Sequence, residues 1–107
     1  MDFGSDKYSD SELALKVKHI LAMMKGNNNF LHPLPALDAL KLVNNAFLLA
    51  LDRSKDGTRI EIVNKKNLRV TLENMLKQLA EYVQHESGGD ETKIITSGLE
   101  TDNAPTK

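Results

Sequence analysis

The sequence predicts an all-α fold, an antiparallel bundle of three main helices with a short fourth helix at the C-terminal end. Three observations carry that expectation. Apolar residues recur at helical spacing in three separate stretches. Each stretch is bounded by capping residues, Pro or Gly. The one segment that alternates like a strand, near Ile60 and Ile62, has no second strand to pair with anywhere in the chain.

The first helix starts at Ser9. Ser9 and Glu12 have capping-box spacing, in which the hydroxyl accepts from the third helical N–H and the carboxylate reaches back to the cap. Leu13, Val17, Ile20, Leu21 and Met24 then form one stripe, and Lys16, Lys18 and Lys25 fall off it. Gly26 and Asn27 end the helix, because both tolerate the left-handed conformation of a C-cap. Residues 26–35 are a connection: three Asn followed by Phe30, His32, Pro33 and Pro35 cannot continue a helix. Phe30 is expected to fold across the bundle end as a plug.

The second helix runs from about Ala36 to Lys55, with Pro35 at its start and Asp56-Gly57 after it. Leu37, Leu40, Phe47, Leu48 and Leu51 make its stripe, which Asn44 interrupts. Leu42, Val43, Ala46, Leu49 and Ala50 widen the apolar arc. A helix apolar over so much of its circumference is buried on more than one side, as the central helix or as part of an oligomer interface.

The third helix spans about Thr58 to Glu86, with Leu68, Leu72, Met75, Leu76, Leu79 and Val83 as its stripe. Ile60, Ile62 and Val63 lower the helix propensity of its first half. At 1.5 Å per residue it is roughly 43 Å long, against about 25 Å for the first helix. It therefore overhangs, kinks near Asn64–Asn67, or is matched by the second helix plus the loop. Gly88-Gly89 turns the chain, Asp90 caps a short helix from Glu91 to about Ser97 with Ile94 and Ile95 facing inward, and Gly98 stops it. The domain limits are thus a polar arm at 1–8, a bundle at 9–99 and a polar tail or linker start at 100–107.

Composition narrows the function. A chain of 107 residues holds one domain. It has no Cys, hence no disulfide framework, thiolate nucleophile or Cys-based metal site. Fourteen basic residues nearly balance 15 acidic ones, and no aromatic residues interleave with the basic ones, so nucleic acid is not an expected partner. No run of apolar residues nears the roughly 20 needed to span a bilayer, so no membrane insertion is expected. Residues 1–10 lack the basic start and apolar run of a cleavable secretory signal. The chain is expected to be cytoplasmic, or exported by a route that reads no such signal.

Chemistry-bearing motifs are nearly absent. His19, His32 and His85 share no metal-ligand spacing, and no cofactor or metal is expected. Glu73 and Glu81 fall off the apolar stripe, as solvated charges do, and Glu12 is explained as a cap. Ser87-Gly88-Gly89-Asp90 has glycines before a helix N-terminus but no phosphate-loop pattern, and Asp90 stands where an anion would bind. We read it as a plain turn. No catalytic residue is assigned and an enzyme is not expected.

One asymmetry points to a partner. Residues 53–69 carry Arg53, Lys55, Arg59, Lys65, Lys66 and Arg69 against Asp56 and Glu61, while residues 81–102 carry Glu81, Glu86, Asp90, Glu91, Glu100 and Asp102 against Lys93. Leu42, Val43 and Leu49, with Arg53, Arg59, Lys65, Lys66 and Arg69, form the candidate interface, for a protein partner or self-association. The alternative is a ligand-binding bundle with a pocket lined by Met23, Met24, Phe47 and Met75.

Gly26-Asn27, Phe30 and Pro33-x-Pro35, then Leu79-Ala80-x-Tyr82-Val83 leading into Ser87-Gly88-Gly89-Asp90-Glu91-x-x-Ile94-Ile95-x-Ser97-Gly98, resemble a family of small helical domains that stand N-terminal to fibronectin type III domains in uncharacterised bacterial proteins. The similarity covers about residues 10–99. It implies a helical bundle and a non-enzymatic structural or interaction module, within a larger bacterial surface, secretion or virion assembly. The chain departs from the pattern at His32, at Leu99, and in the larger side chains of its second and third helices, which imply a fatter core or an oligomer.

Overall fold

A computed structural model describes residues 7–99 of the chain. Four helices follow in order: α1 Asp10–Met24, α2 Leu37–Ser54, α3 Arg59–Ser87 and α4 Glu91–Thr96. No strand occurs among the described residues. Helix α2 packs along both α1 and α3 through one buried stripe, and α4 folds against the end of α3. The molecule measures 45 × 29 × 18 Å, and α3 alone accounts for its longest dimension.

The caps act as their chemistry dictates. Ser9 Oγ accepts from the Glu12 N–H at 3.2 Å, and Glu12 Oε1 accepts from the Ser9 N–H at 2.9 Å, so two otherwise unpartnered donors are satisfied. Thr58 Oγ1 accepts from the Glu61 N–H at the start of α3. That cap opens α3, which is helical through Ile60, Ile62 and Val63 despite their β-branching. The helix runs unbroken through Asn64–Asn67. Its last part meets the connecting loop, where Tyr82 contacts Phe30 and His32.

The core is one cluster. Leu13, Val17, Ile20 and Met24 of α1 meet Leu40 and Phe47 of α2 and Leu72, Leu76, Leu79 and Val83 of α3. Phe30 seals the bundle end at 1% exposure, its ring 6.0 Å from that of Tyr82 and tilted by 58°. Burying such a ring contributes about 1.5–3 kcal/mol. Its loop neighbours Leu31 and Leu34 stay exposed. At the opposite end the core runs out: no residue from Leu51 through Thr71 is buried.

Several expectations are corrected. Asn44 does not break the core stripe but occupies it, buried, with its side-chain N–H donating to the Ala14 carbonyl at 3.3 Å. Ile94 faces inward as expected, but Ile95 is 60% exposed, because consecutive helical residues point about 100° apart and α4 has only one inner side. Helix α4 ends at Thr96, with Ser97 as its C-cap. Tyr8, placed in the N-terminal arm by its sequence, packs against the core. The expected tail at 100–107 and residues 1–6 of the arm lie outside the described residues.

Candidate interaction surface

Several residues that carry the sequence motif gather at the α4 end, where they close helix ends and turns. Asn27 holds three segments together: its side-chain N–H groups donate to the Met23 carbonyl at 3.3 Å and the Thr96 carbonyl at 3.0 Å, and its Oδ1 accepts from the Asn29 N–H at 2.9 Å. The Tyr82 hydroxyl accepts from the His32 N–H at 3.3 Å.

Ser87 and Ser97 perform one task twice. Each hydroxyl donates back to a carbonyl three residues earlier, Gln84 or Ile94, and accepts the N–H two residues ahead, Gly89 or Leu99. These bonds satisfy groups left open at the helix ends. Gly88 supplies the left-handed turn after Ser87 at φ +63°. Asp90 accepts from the Thr92 N–H at 2.9 Å, so its carboxylate sits at the α4 N-terminus. The run from Ser87 to Asp90 is an inter-helix turn.

The basic stretch divides in two. Lys65 Nζ lies 3.0 Å from Asp10, and the Arg69 guanidinium lies 2.7 Å from Asp10 and 2.8 Å from Glu73. Arg69 also donates to the Tyr8 carbonyl at 2.8 Å. Partial burial acts to raise the Asp10 pKa, but hydrogen bonds and positive charge from Arg69 and Lys65 outweigh it and hold the carboxyl below its ordinary value. Burial likewise opposes the charge on Arg69, and Glu73 and Asp10 overcome it. Glu73 is therefore no freely solvated charge but half-buried in this network. Lys65 and Arg69 tie the start of α1 to α3. Arg53, Arg59 and Lys66 remain exposed.

The apolar candidates fall on the outside of α2. Leu42 is 70% exposed, Leu49 is 52% exposed, and Val43 is half-buried against the core. Ala39 and Ala46 are exposed beside them. Ala39, Leu42, Ala46, Leu49 and Arg53 recur at intervals of three, four, three and four residues. That spacing keeps them on one outward arc of the helix, opposite Leu40, Asn44, Phe47 and Leu51. Sequence periodicity alone did not separate this arc from the core, because α2 is apolar on both.

Of the residues expected to line a pocket, Met24 and Phe47 are buried in the core, Met75 is half-buried beside it, and Met23 is 39% exposed. A groove of about 420 Å³ between α1 and α2 is lined by residues including Lys18, Leu21, Lys25, Leu37, Lys41 and Asn44. Among the described residues, no group of three His, Asp or Glu could hold a metal ion, and no helix is long and apolar enough to cross a membrane. Compared with known proteins, the chain matches no family model, no curated protein and no solved structure.

Proposed function

We propose that this chain is a non-enzymatic protein-interaction module that binds through the outer face of α2, with Arg53, Arg59 and Lys66 as a basic margin. The observation that carries the reading is the exposure of Leu42 and Leu49 on a helix whose opposite face is already buried. Large apolar side chains aligned in a stripe at the surface mark interaction sites. The resemblance to helical domains that precede fibronectin type III domains supports the same reading, with a larger bacterial surface, secretion or virion assembly as the proposed setting.

The test uses the chain as bait in an extract of its own cells, beside the double variant Leu42→Glu, Leu49→Glu. A partner held by the parent and lost by the variant supports the reading. Identical capture by both, with the variant still folded by circular dichroism, overturns it.

A further inference from the structure

We infer that the outer face of α2 takes a second copy of this chain, paired antiparallel across a two-fold axis that passes between Asn45 and Ala46. This rests on the reading of that face as an interaction surface. Its geometry and charge select the occupant. Ala39, Leu42, Ala46 and Leu49 follow the three–four spacing of a helix-pairing seam, with small residues alternating with leucines. In this register Ala46 of each copy lies beside the two-fold axis, where its small side chain lets the two helix backbones approach toward the short end of the 8–10 Å range, and Leu42 and Leu49 fill the space on either side.

Charge sets the direction. Asp38 stands beside the seam at its start and Arg53 closes it at its end; both are exposed, and neither has an ion-pair partner among the described residues. They stand 15 positions apart, as do the ends of a segment centred between Asn45 and Ala46. Antiparallel pairing about that centre sets Asp38 of each copy opposite Arg53 of the other, and Leu42 of each opposite Leu49 of the other. Parallel pairing would set Arg53 against Arg53 and Asp38 against Asp38, which is repulsive twice over. A two-fold interface is self-complementary in this way by construction, each contact being made twice. A single helix pair lies at the small end of specific interfaces, so the pairing should depend on concentration.

The absence of Cys from the chain makes the register directly readable. Sedimentation equilibrium of the full chain at rising concentration should show the mass climbing from one chain toward two. Under mild oxidation Ala46→Cys should give a disulfide-linked dimer. Leu42→Cys alone should not, because the two positions stand about 10 Å apart along the helix axes, beyond the roughly 7 Å that a disulfide spans between Cα atoms. Mixed with Leu49→Cys, it should cross-link. The charge reversal Asp38→Arg should weaken the dimer at least tenfold, and Asp38→Arg combined with Arg53→Asp should restore it.

Cross-linking of Leu42→Cys with itself would overturn the antiparallel register. A single-chain mass at every concentration would overturn self-pairing. If the bait experiment then still shows a partner lost with Leu42→Glu, Leu49→Glu, the face binds a different protein and only the identity of the occupant has failed.

Discussion

Replacing Gly98 by Ala should be among the most damaging one-carbon changes available in this protein, and the structure indicates how much. Gly98 sits at φ +86°, where an L side chain costs about 1–2 kcal/mol. A Cβ there would lie 3.1 Å from the Ile20 Cα, 3.2 Å from a His19 ring carbon and 3.3 Å from the Met23 side chain. The Ile20 atom is helix backbone in the middle of α1 and cannot rotate away. Forcing extra volume into such a contact costs typically about 1–3 kcal/mol. Gly57, in the α2–α3 turn, provides the control, since it has a similar φ of +81° but nothing within 4 Å of its Cβ position.

Gly57→Ala should therefore lose about 1–2 kcal/mol, and Gly98→Ala about 2–5 kcal/mol, both by urea unfolding followed by circular dichroism. For a domain of this size the difference is on the order of 10 °C in melting temperature. Equal losses in the two variants would show that α4 and the residues after it do not press on α1. The packing of the C-terminal end against α1 would then be wrong.

Leu79→Asp places an unpaired carboxylate at a position with no solvent exposure, and should unfold the chain at 25 °C; a cooperative melt within a few degrees of the parent would mean that the α3 stripe faces elsewhere. Asn44→Leu should stabilise by about 1 kcal/mol, because it removes a buried amide whose oxygen has no hydrogen-bond partner among the described residues; any loss of stability would show that the bond to Ala14 outweighs the unpartnered oxygen. The folded-state pKa of Asp10 lies below its unfolded value of 3.8, so its contribution to stability is present above pH 4 and is lost as the pH falls through the folded value. Asp10→Asn should accordingly destabilise at pH 7, with a cost that shrinks as the pH falls below 4, and a cost that does not change with pH would deny the pairing with Arg69 and Lys65. Asn27→Ala should lower stability by about 1–3 kcal/mol and loosen α4 first, seen as faster amide exchange at Ile94 and Ser97 than in the core of α3.

The helices were legible in the sequence because their signals are local. The Ser9–Glu12 box, the cap at Asp90, the glycine stops and the stripes of α1 and α3 each lie within a few residues of what they determine. What was not legible depends on residues far apart in the chain. Lys65 and Arg69 read as part of a basic patch because their partner Asp10 stands 59 positions before Arg69. Glu73 read as solvated for the same reason. On α2 both arcs are apolar, and only the placement of α1 and α3 decides that Leu40 and Phe47 are inside while Leu42 and Leu49 are out.

Asn44 was legible and misread: its spacing from Leu40, Phe47 and Leu51 places it on the core stripe, and polarity alone argued otherwise. The motif from Ser87 to Gly98 illustrates a further difficulty. Serines, glycines and aspartate before a helix resemble binding chemistry, yet here every one of them closes a helix end or a turn.

The most direct test of the α2 face is covalent footprinting of the chain's side chains in an extract of its own cells, compared with dilute buffer. Leu31 and Leu34, exposed on the loop at 68% and 58%, serve as internal standards. The predicted result is that Leu42 and Leu49 lose their labelling in the extract while Leu31 and Leu34 keep theirs. Labelling of Leu42 and Leu49 that stays level with the two loop leucines under both conditions would contradict it.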